Sequence, residues 1–273
     1  MSLKDKVLFI TGGSRGIGLA TALRAAKDGA NIVIASKTVT PHPKLPGTIY
    51  TAQEAIIEAG GQCLAIPTDI RDEQQIIKAI DETVNHFGGL DILFNNASAI
   101  FPSTVRHTEA KRYDLMFDIN GRGSLLCAKY AIPHLLKSKN PHILNNSPPI
   151  SFDRAPRGMF SLNEHVLKGK TAYMVSKYLM TFWTLGMAEE LRSQGIAVNS
   201  IWPVTPIDTA AVRNVLPQAL SIARSPEIVA DACYQIFVQP SREYTGQCLL
   251  DEDVLISSGK IDFTQYSLNQ DNQ

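Results

Sequence analysis

Tyr173 and Lys177 stand four residues apart in the run Tyr173-Met174-Val175-Ser176-Lys177. On a helix that spacing brings a phenol and an ammonium to one face. A positive charge held beside a phenol favours the phenolate, so its pKa falls from about 10 toward the neutral range, as a proton donor at neutral pH requires. By itself the pair is also the ordinary pattern of a packed ring and a solvated tip, so its meaning depends on what else the chain carries.

Near the N-terminus the chain reads Thr11-Gly12-Gly13-Ser14-Arg15-Gly16-Ile17-Gly18, between an apolar strand-like run and a helix-like stretch. Glycines allow a sharp turn and a close backbone approach to a pyrophosphate, and a following helix offers free N–H groups and a positive dipole end. Alone, the cluster is equally a tight strand-to-helix turn; with a strand before it and a helix after it, it reads as a dinucleotide cradle. The second strand then ends Ala35-Ser36-Lys37-Thr38, with no carboxylate. A carboxylate there would accept the ribose 2′-hydroxyl of NAD and repel a 2′-phosphate, whereas Arg15 and Lys37 can neutralise one. NADP is expected over NAD, the alternative being that both cations are merely solvated.

The elements that must position these groups follow from apolar runs. Strands are predicted at 7–11, 31–36, 63–67, 90–95, 142–146, 196–201 and 247–250. Several are continuously apolar, as strands buried on both faces are. Helices are predicted at 16–28, 51–59, 72–87, 108–136 (with a possible break), 171–192 and 226–238, with Gly29, Gly60 and Gly195 at helix ends. Strand and helix in alternation imply βαβ units, hence a Rossmann-type doubly wound parallel sheet of about seven strands with helices on both faces. No repeat, linker or composition shift divides the chain, so 1–273 is read as one domain. Two stretches break the alternation: 37–50, with Pro41, Pro43, Pro46 and Gly47, reads as a loop, and 148–170 is long enough to expect a lid or a short helix.

The T-G-x-x-x-G-x-G spacing of residues 11–18 resembles the first turn of the short-chain dehydrogenase/reductase superfamily. On that resemblance Gly12, Ser14, Arg15, Gly16, Ile17 and Gly18 face the dinucleotide. Thr68-Asp69-Ile70 matches the place where the family meets the adenine, and Asn95-Asn96-Ala97-Ser98 matches its N-N-A-G, with Ser98 in place of glycine. Tyr173 and Lys177 then fall on the family's Y-x-x-x-K. Ser147, after the fifth strand, would hydrogen-bond the substrate oxygen, and Asn120, in Asn120-Gly121-Arg122-Gly123, would sustain a water path. Ser147 lies 26 residues before Tyr173, twice the family's usual separation. Ser161, 12 residues before Tyr173, is a rival by count but follows no strand, so Ser147 is kept and 151–169 is read as an insertion at the substrate mouth. Arg154, Arg157, His165 and Lys168 make that insertion mildly basic, as a solvated loop or as a contact for an acidic substrate such as an acyl-CoA. After the sixth strand the family's P-G followed by Thr becomes Pro203-Val204-Thr205-Pro206-Ile207-Asp208-Thr209, leaving Thr205 and Thr209 both open as contacts for the nicotinamide amide. With Ser147-Pro148-Pro149, Trp202-Pro203 and the ending 244–252, nearly the whole chain resembles the hydroxysteroid-dehydrogenase-like branch. Members of that branch can carry a sterol-carrier domain, which would have to begin beyond residue 273.

The resemblance implies an NADP-dependent oxidoreductase interconverting an alcohol and a carbonyl on a small lipid-like, steroid-like or acyl substrate. It also implies a homodimer or homotetramer paired through the two long helices. The alternative is a non-catalytic NADP(H)-binding sensor or scaffold on the same fold. Composition narrows the partners. Lys and Arg number 26 and Asp and Glu number 26, so no net charge draws the chain to nucleic acid or an anionic membrane. The four cysteines form no C-x-x-C pair and the six histidines show no ligand spacing, so no disulfide or metal site is expected. No apolar run reaches a membrane span and no leader is recognisable, so the cytoplasm is expected. Tyr178, Phe182 and Leu185 recur at helical spacing and are read as core or subunit interface.

Overall fold

The structure, a computed structural model, describes residues 2–43, 45–150 and 167–268. Seven strands form one parallel sheet: β1 (Val7–Thr11), β2 (Asn31–Ser36), β3 (Gln62–Pro67), β4 (Ile92–Asn95), β5 (His142–Asn146), β6 (Ala197–Trp202) and β7 (Cys248–Leu250). Their order is β3-β2-β1-β4-β5-β6-β7. The chain runs outward from β1 to β3 and returns to place β4 on the other side of β1, so the connections leaving β1 and β4 diverge. A crevice opens at their carboxyl ends, where such sheets bind ligands.

Period-two alternation sends β1 and β2 side chains to two cores. Leu8, Ile10, Ile32 and Ile34 pack on one face with α1 (Gly16–Ala26) and the later helix 227–237; Val7, Phe9, Val33 and Ala35 pack on the other with α3 and α5, defined below. α2 (Ile49–Glu58) begins two residues before the expected 51, because Thr48 and Thr51 form a reciprocal capping box, Thr51 N donating to Thr48 Oγ1 at 3.2 Å and Thr48 N to Thr51 Oγ1 at 2.8 Å. α3 (Glu73–Phe87) starts on Asp72, whose carboxylate accepts from the backbone of Gln74 and Gln75. The expected helix ends at Gly29, Gly60 and Gly195 all adopt left-handed backbone.

The long helix expected over 108–136 is interrupted. α4 (Ala110–Met116) passes into a π-helical stretch, Phe117–Gly123, before α5 (Ser124–Leu135) resumes. α6 (Thr171–Leu191) carries the tyrosine and lysine. Three further pieces were not expected: α7 (Ala210–Val215), a 3₁₀ turn at Pro217–Ile222, and α9 (Asp251–Ser257), which follows α8 (Glu227–Phe237) and β7. Ser161, Arg154, Arg157 and His165, with most of the 151–169 insertion, lie outside the described residues.

Candidate active site

One cleft of about 600 Å³ occupies the crevice. Gly12, Ser14, Arg15, Gly16 and Ile17 form one end, with Lys37, Asp69 and Ile70 beside them, and Asn96, Ala97, Ser98, Tyr173, Lys177 and Pro203 line the rest. The turn holds its shape through β4. Asn96 Nδ2 donates to the Thr11 and Gly12 carbonyls at 3.2 and 3.1 Å, while Thr11 Oγ1 accepts from the Asn96 and Ala97 amides at 3.0 Å. Gly18 does not line the cleft. A Cβ there would lie 2.6 Å from Asn96 Nδ2, so this glycine is required by the side chain that braces the turn. Gly16 sits at φ +55°, left-handed backbone that favours glycine.

Arg15 precedes α1 in extended backbone and gives it no side-chain cap, which leaves first-turn N–H groups for a ligand. Its guanidinium is clamped by the 37–48 loop, donating to Pro46 O at 2.8 Å and Gly47 O at 3.0 Å. Desolvation there pulls its pKa down. Lys37 is exposed, and the hydroxyls of Ser14 and Ser36, the residues before Arg15 and Lys37, meet at 3.4 Å. Asp69 is gripped by the Arg71 fork, with Nη2 to Oδ2 at 2.5 Å, which holds its carboxyl below the usual range; Lys37 adds a weaker pull in the same direction.

Lys177 is 1% exposed. Its Nζ donates to the Met180 sulfur at 3.3 Å and lies 5.3 Å from the Trp202 ring centre. Desolvation brings its pKa down to about 7. Tyr173 shares the cleft wall, but burial pushes its phenol up, opposed by hydrogen bonding with Ser98. This corrects the expected lowering of the phenol pKa: an amine that burial leaves only partly charged near neutral pH provides little field to favour a phenolate.

Two expected catalytic residues are placed differently. Ser147 has no exposure and does not line the cleft. Thr181 Oγ1 donates to its hydroxyl at 3.1 Å, on the side of α6. Asn146, one residue earlier, lines the cleft in its stead and donates to Asn96 Oδ1 at 3.2 Å. The alternation of side chains at the strand end is the physical reason. Asn120, also fully buried, sits in the π-helical stretch away from the cleft wall. Its Oδ1 accepts from Ala99 N at 2.9 Å, and its Nδ2 donates to Ala99 O at 3.0 Å and Ser176 Oγ at 2.9 Å. Ser176 in turn donates to Tyr173 O at 2.6 Å, so Asn120 reaches the tyrosine through the α6 backbone.

The residues fit a dinucleotide on two further grounds. Thr205 Oγ1 is buried in the cleft wall without a hydrogen-bond partner, whereas Thr209 is committed to capping α7 by accepting from Val212 N at 3.3 Å. The segment carrying Thr205 is pinned by Asp251, which accepts from Val204 N at 2.9 Å. Sequence reading passed over Asn146, Thr38 and the wall contributed by α7; a strand end and a six-residue helix carry little periodic signal. Among the described residues no group of His, Cys, Asp and Glu could hold a metal, and no helix is long and apolar enough to cross a membrane.

The short chain dehydrogenase family profile matches residues 6–219. The chain belongs to that family. As a short chain dehydrogenase it is 52% identical over 262 residues to hydroxysteroid dehydrogenase-like protein 2 of Danio rerio, covering 96% of this chain and 60% of that one. The human protein of the same name is 49% identical over the same span. The chain thus spans about 60% of the length of these curated relatives. A crystal structure of a short chain dehydrogenase from Mycobacterium thermoresistibile superposes with a TM-score of 0.88 at 49% identity, covering 97% of this chain and 91% of that one. At 22% identity the fold is shared with carveol dehydrogenase from Mycobacterium avium, solved with NAD (TM-score 0.76), and with a metagenomic short-chain oxidoreductase solved with NADP (TM-score 0.72). The departures of this short chain dehydrogenase from the family pattern, Ser98 and Val204, cost no backbone strain: Asp5 is the one non-glycine at positive φ among the described residues.

Proposed function

We propose that this chain is an NADP(H)-dependent oxidoreductase that interconverts an alcohol and a carbonyl on a lipid-like, steroid-like or acyl substrate. The observation that carries the reading is that Tyr173 and Lys177 share the wall of one cleft whose other end holds the glycine turn, Arg15 and Lys37. The bound nicotinamide supplies or accepts the hydride. In the reducing direction Tyr173 Oη gives its proton to the oxygen of the substrate carbonyl, and in the oxidising direction its phenolate takes the proton of the alcohol. Lys177 is charged to the extent that a negative group approaches it, and its charged form lowers the phenol. Arg15 and Lys37 hold the 2′-phosphate, and the free Thr205 hydroxyl takes the nicotinamide amide. Asn120 fixes the turn of α6 that carries Tyr173, through Ser176.

Ile100, Phe101, Met174, Trp202, Val215 and Leu216 give the cleft an apolar wall, which supports a lipid-like substrate. The absence of Ser147 from the cleft supports the second reading, a non-catalytic NADP(H)-binding module. NADPH oxidation with a steroid ketone, a long-chain aldehyde and a 3-oxoacyl thioester separates the two. Reduction of at least one is expected; tight NADPH binding with no turnover of any of them favours the module. The reading includes a homodimer or homotetramer through α4 to α6. It is supported by apolar side chains that α6 leaves in solvent, Phe182 at 59% exposure and Leu185 at 40%, and checked by sedimentation equilibrium.

A further inference from the structure

We propose that Asp251 is a positioning residue for the dinucleotide, holding the Thr205 hydroxyl in the cleft wall through the backbone of Val204. This rests on the reading of the cleft as an NADP(H) site with Thr205 at the nicotinamide amide. Pro203 and Pro206 bracket Val204 and Thr205 and carry no N–H, so this stretch has only two backbone donors. It runs between β6, which ends at Trp202, and α7, which begins at Ala210, so no strand or helix ladder holds it. Val204 N donates to Asp251 Oδ1 at 2.9 Å. On the other side of Thr205, Arg224 N donates to Pro206 O at 2.9 Å and Asp208 N to Arg224 O at 2.8 Å, and the Arg224 guanidinium is paired with Glu252. Asp251 and Glu252 open α9, so the first turn of α9 ties the segment on both sides of Thr205. Between the two ties, Thr205 Oγ1 is buried in the cleft wall with no hydrogen-bond partner among the described residues.

Stability alone does not call for a carboxylate at this position. Asp251 has no exposure; its Oδ1 accepts from Val204 N and, at 2.8 Å, from Glu252 N, while its Oδ2 is buried with no partner among the described residues. A buried carboxylate with an unmatched oxygen destabilises a fold relative to an apolar side chain of similar size. What Asp251 supplies is a fixed acceptor for a backbone N–H that regular structure leaves unpaired. A hydroxyl already held in place loses less entropy when a ligand meets it than one carried on a loose loop. The benefit of the tie therefore falls on the ligand group that Thr205 meets, and not on the phosphate end of the cleft, where Arg15 is clamped independently by the 37–48 loop.

The test uses the full chain and two probes, NADPH and 2′-phospho-ADP-ribose, which lacks the nicotinamide, with dissociation constants measured by calorimetric titration. Asp251→Ala is expected to weaken NADPH about 3- to 10-fold and to leave 2′-phospho-ADP-ribose unchanged. Asp251→Asn, which keeps an acceptor oxygen for Val204 N, restores the affinity for NADPH. Thr205→Val weakens NADPH by a similar factor, and combining it with Asp251→Ala weakens it no further, because both changes act on one contact. Glu252→Gln loosens Arg224 without touching the buried carboxylate; it acts in the same direction and carries the test if Asp251→Ala does not fold. NADPH affinity that ignores these variants, a loss shared equally by the two probes, or losses that add in the double variant overturn the proposal while the cofactor reading stands. An unmodified chain that binds neither probe overturns that reading and the proposal with it.

Discussion

Arg15 and Lys37 are the positive charges to which the proposed function assigns the 2′-phosphate, and they are held differently. Arg15 is fixed by two loop carbonyls, whereas Lys37 is exposed. A cation pre-organised in this way loses less entropy on meeting a phosphate. Arg15→Ala is therefore expected to weaken NADPH more than Lys37→Ala does, and neither to weaken NADH comparably; fluorescence titration of each variant with both dinucleotides checks the order. Lys37→Asp should reverse the preference, since its carboxylate repels a 2′-phosphate and accepts a ribose hydroxyl. The place of these residues in the cleft was legible in the sequence because glycine spacing and the residue ending the second strand are local signals. The place of Ser147 was not, because Asn146 and Ser147 are adjacent polar residues at a strand end that point opposite ways, and only packing on α6 decides which one meets the cleft.

At the scale of elements, α1 and β4 are clamped together by Asn96 over Gly18. Gly18→Ala would drive a methyl group into the Asn96 amide and the Gly12 carbonyl, at 2.6 and 2.8 Å. The expected loss is about 1–3 kcal/mol of stability by urea unfolding, together with weaker dinucleotide binding, because the turn itself must move. The seven strands and five of the six expected helices could be read from apolar runs, with bounds that moved by a residue or two, while the helix expected over 108–136 is interrupted. The π-helical stretch at Phe117–Gly123 could not, since its reason is tertiary: Asn120 turns inward to bond the Ala99 backbone and Ser176. α7 and the 3₁₀ turn after it are too short for a period to show, yet they wall the cleft.

For the whole molecule, two buried groups set opposing pH dependences. His142 is buried against the Gln239 carbonyl, and desolvation lowers its pKa from 6.5 to about 4. Below 6.5 the unfolded chain takes up a proton that the folded one refuses, so this group removes about 3 kcal/mol of stability as pH falls to 4. Asp251 behaves in the opposite sense. Desolvation raises it from 3.8 to about 6, so the folded chain binds its proton first, and stability gained below 4 is lost as pH rises through 6, by a similar amount. Unfolding free energies at pH 7 and pH 4.5 should fall more steeply with acid in Asp251→Asn and less steeply in His142→Gln than in the unmodified chain. The parallel order β3-β2-β1-β4-β5-β6-β7 followed from alternating elements, and it is this order that opens the crevice between β1 and β4 for the site.

In the proposed function Tyr173 transfers the proton in a cleft that binds NADPH without it. Turnover and NADPH affinity measured side by side in the unmodified chain and in Tyr173→Phe separate these two roles, with the panel carbonyl that the unmodified chain reduces fastest. Tyr173→Phe is expected to bind NADPH nearly as tightly and to turn over at no measurable rate. Substantial turnover by Tyr173→Phe on that carbonyl would contradict it.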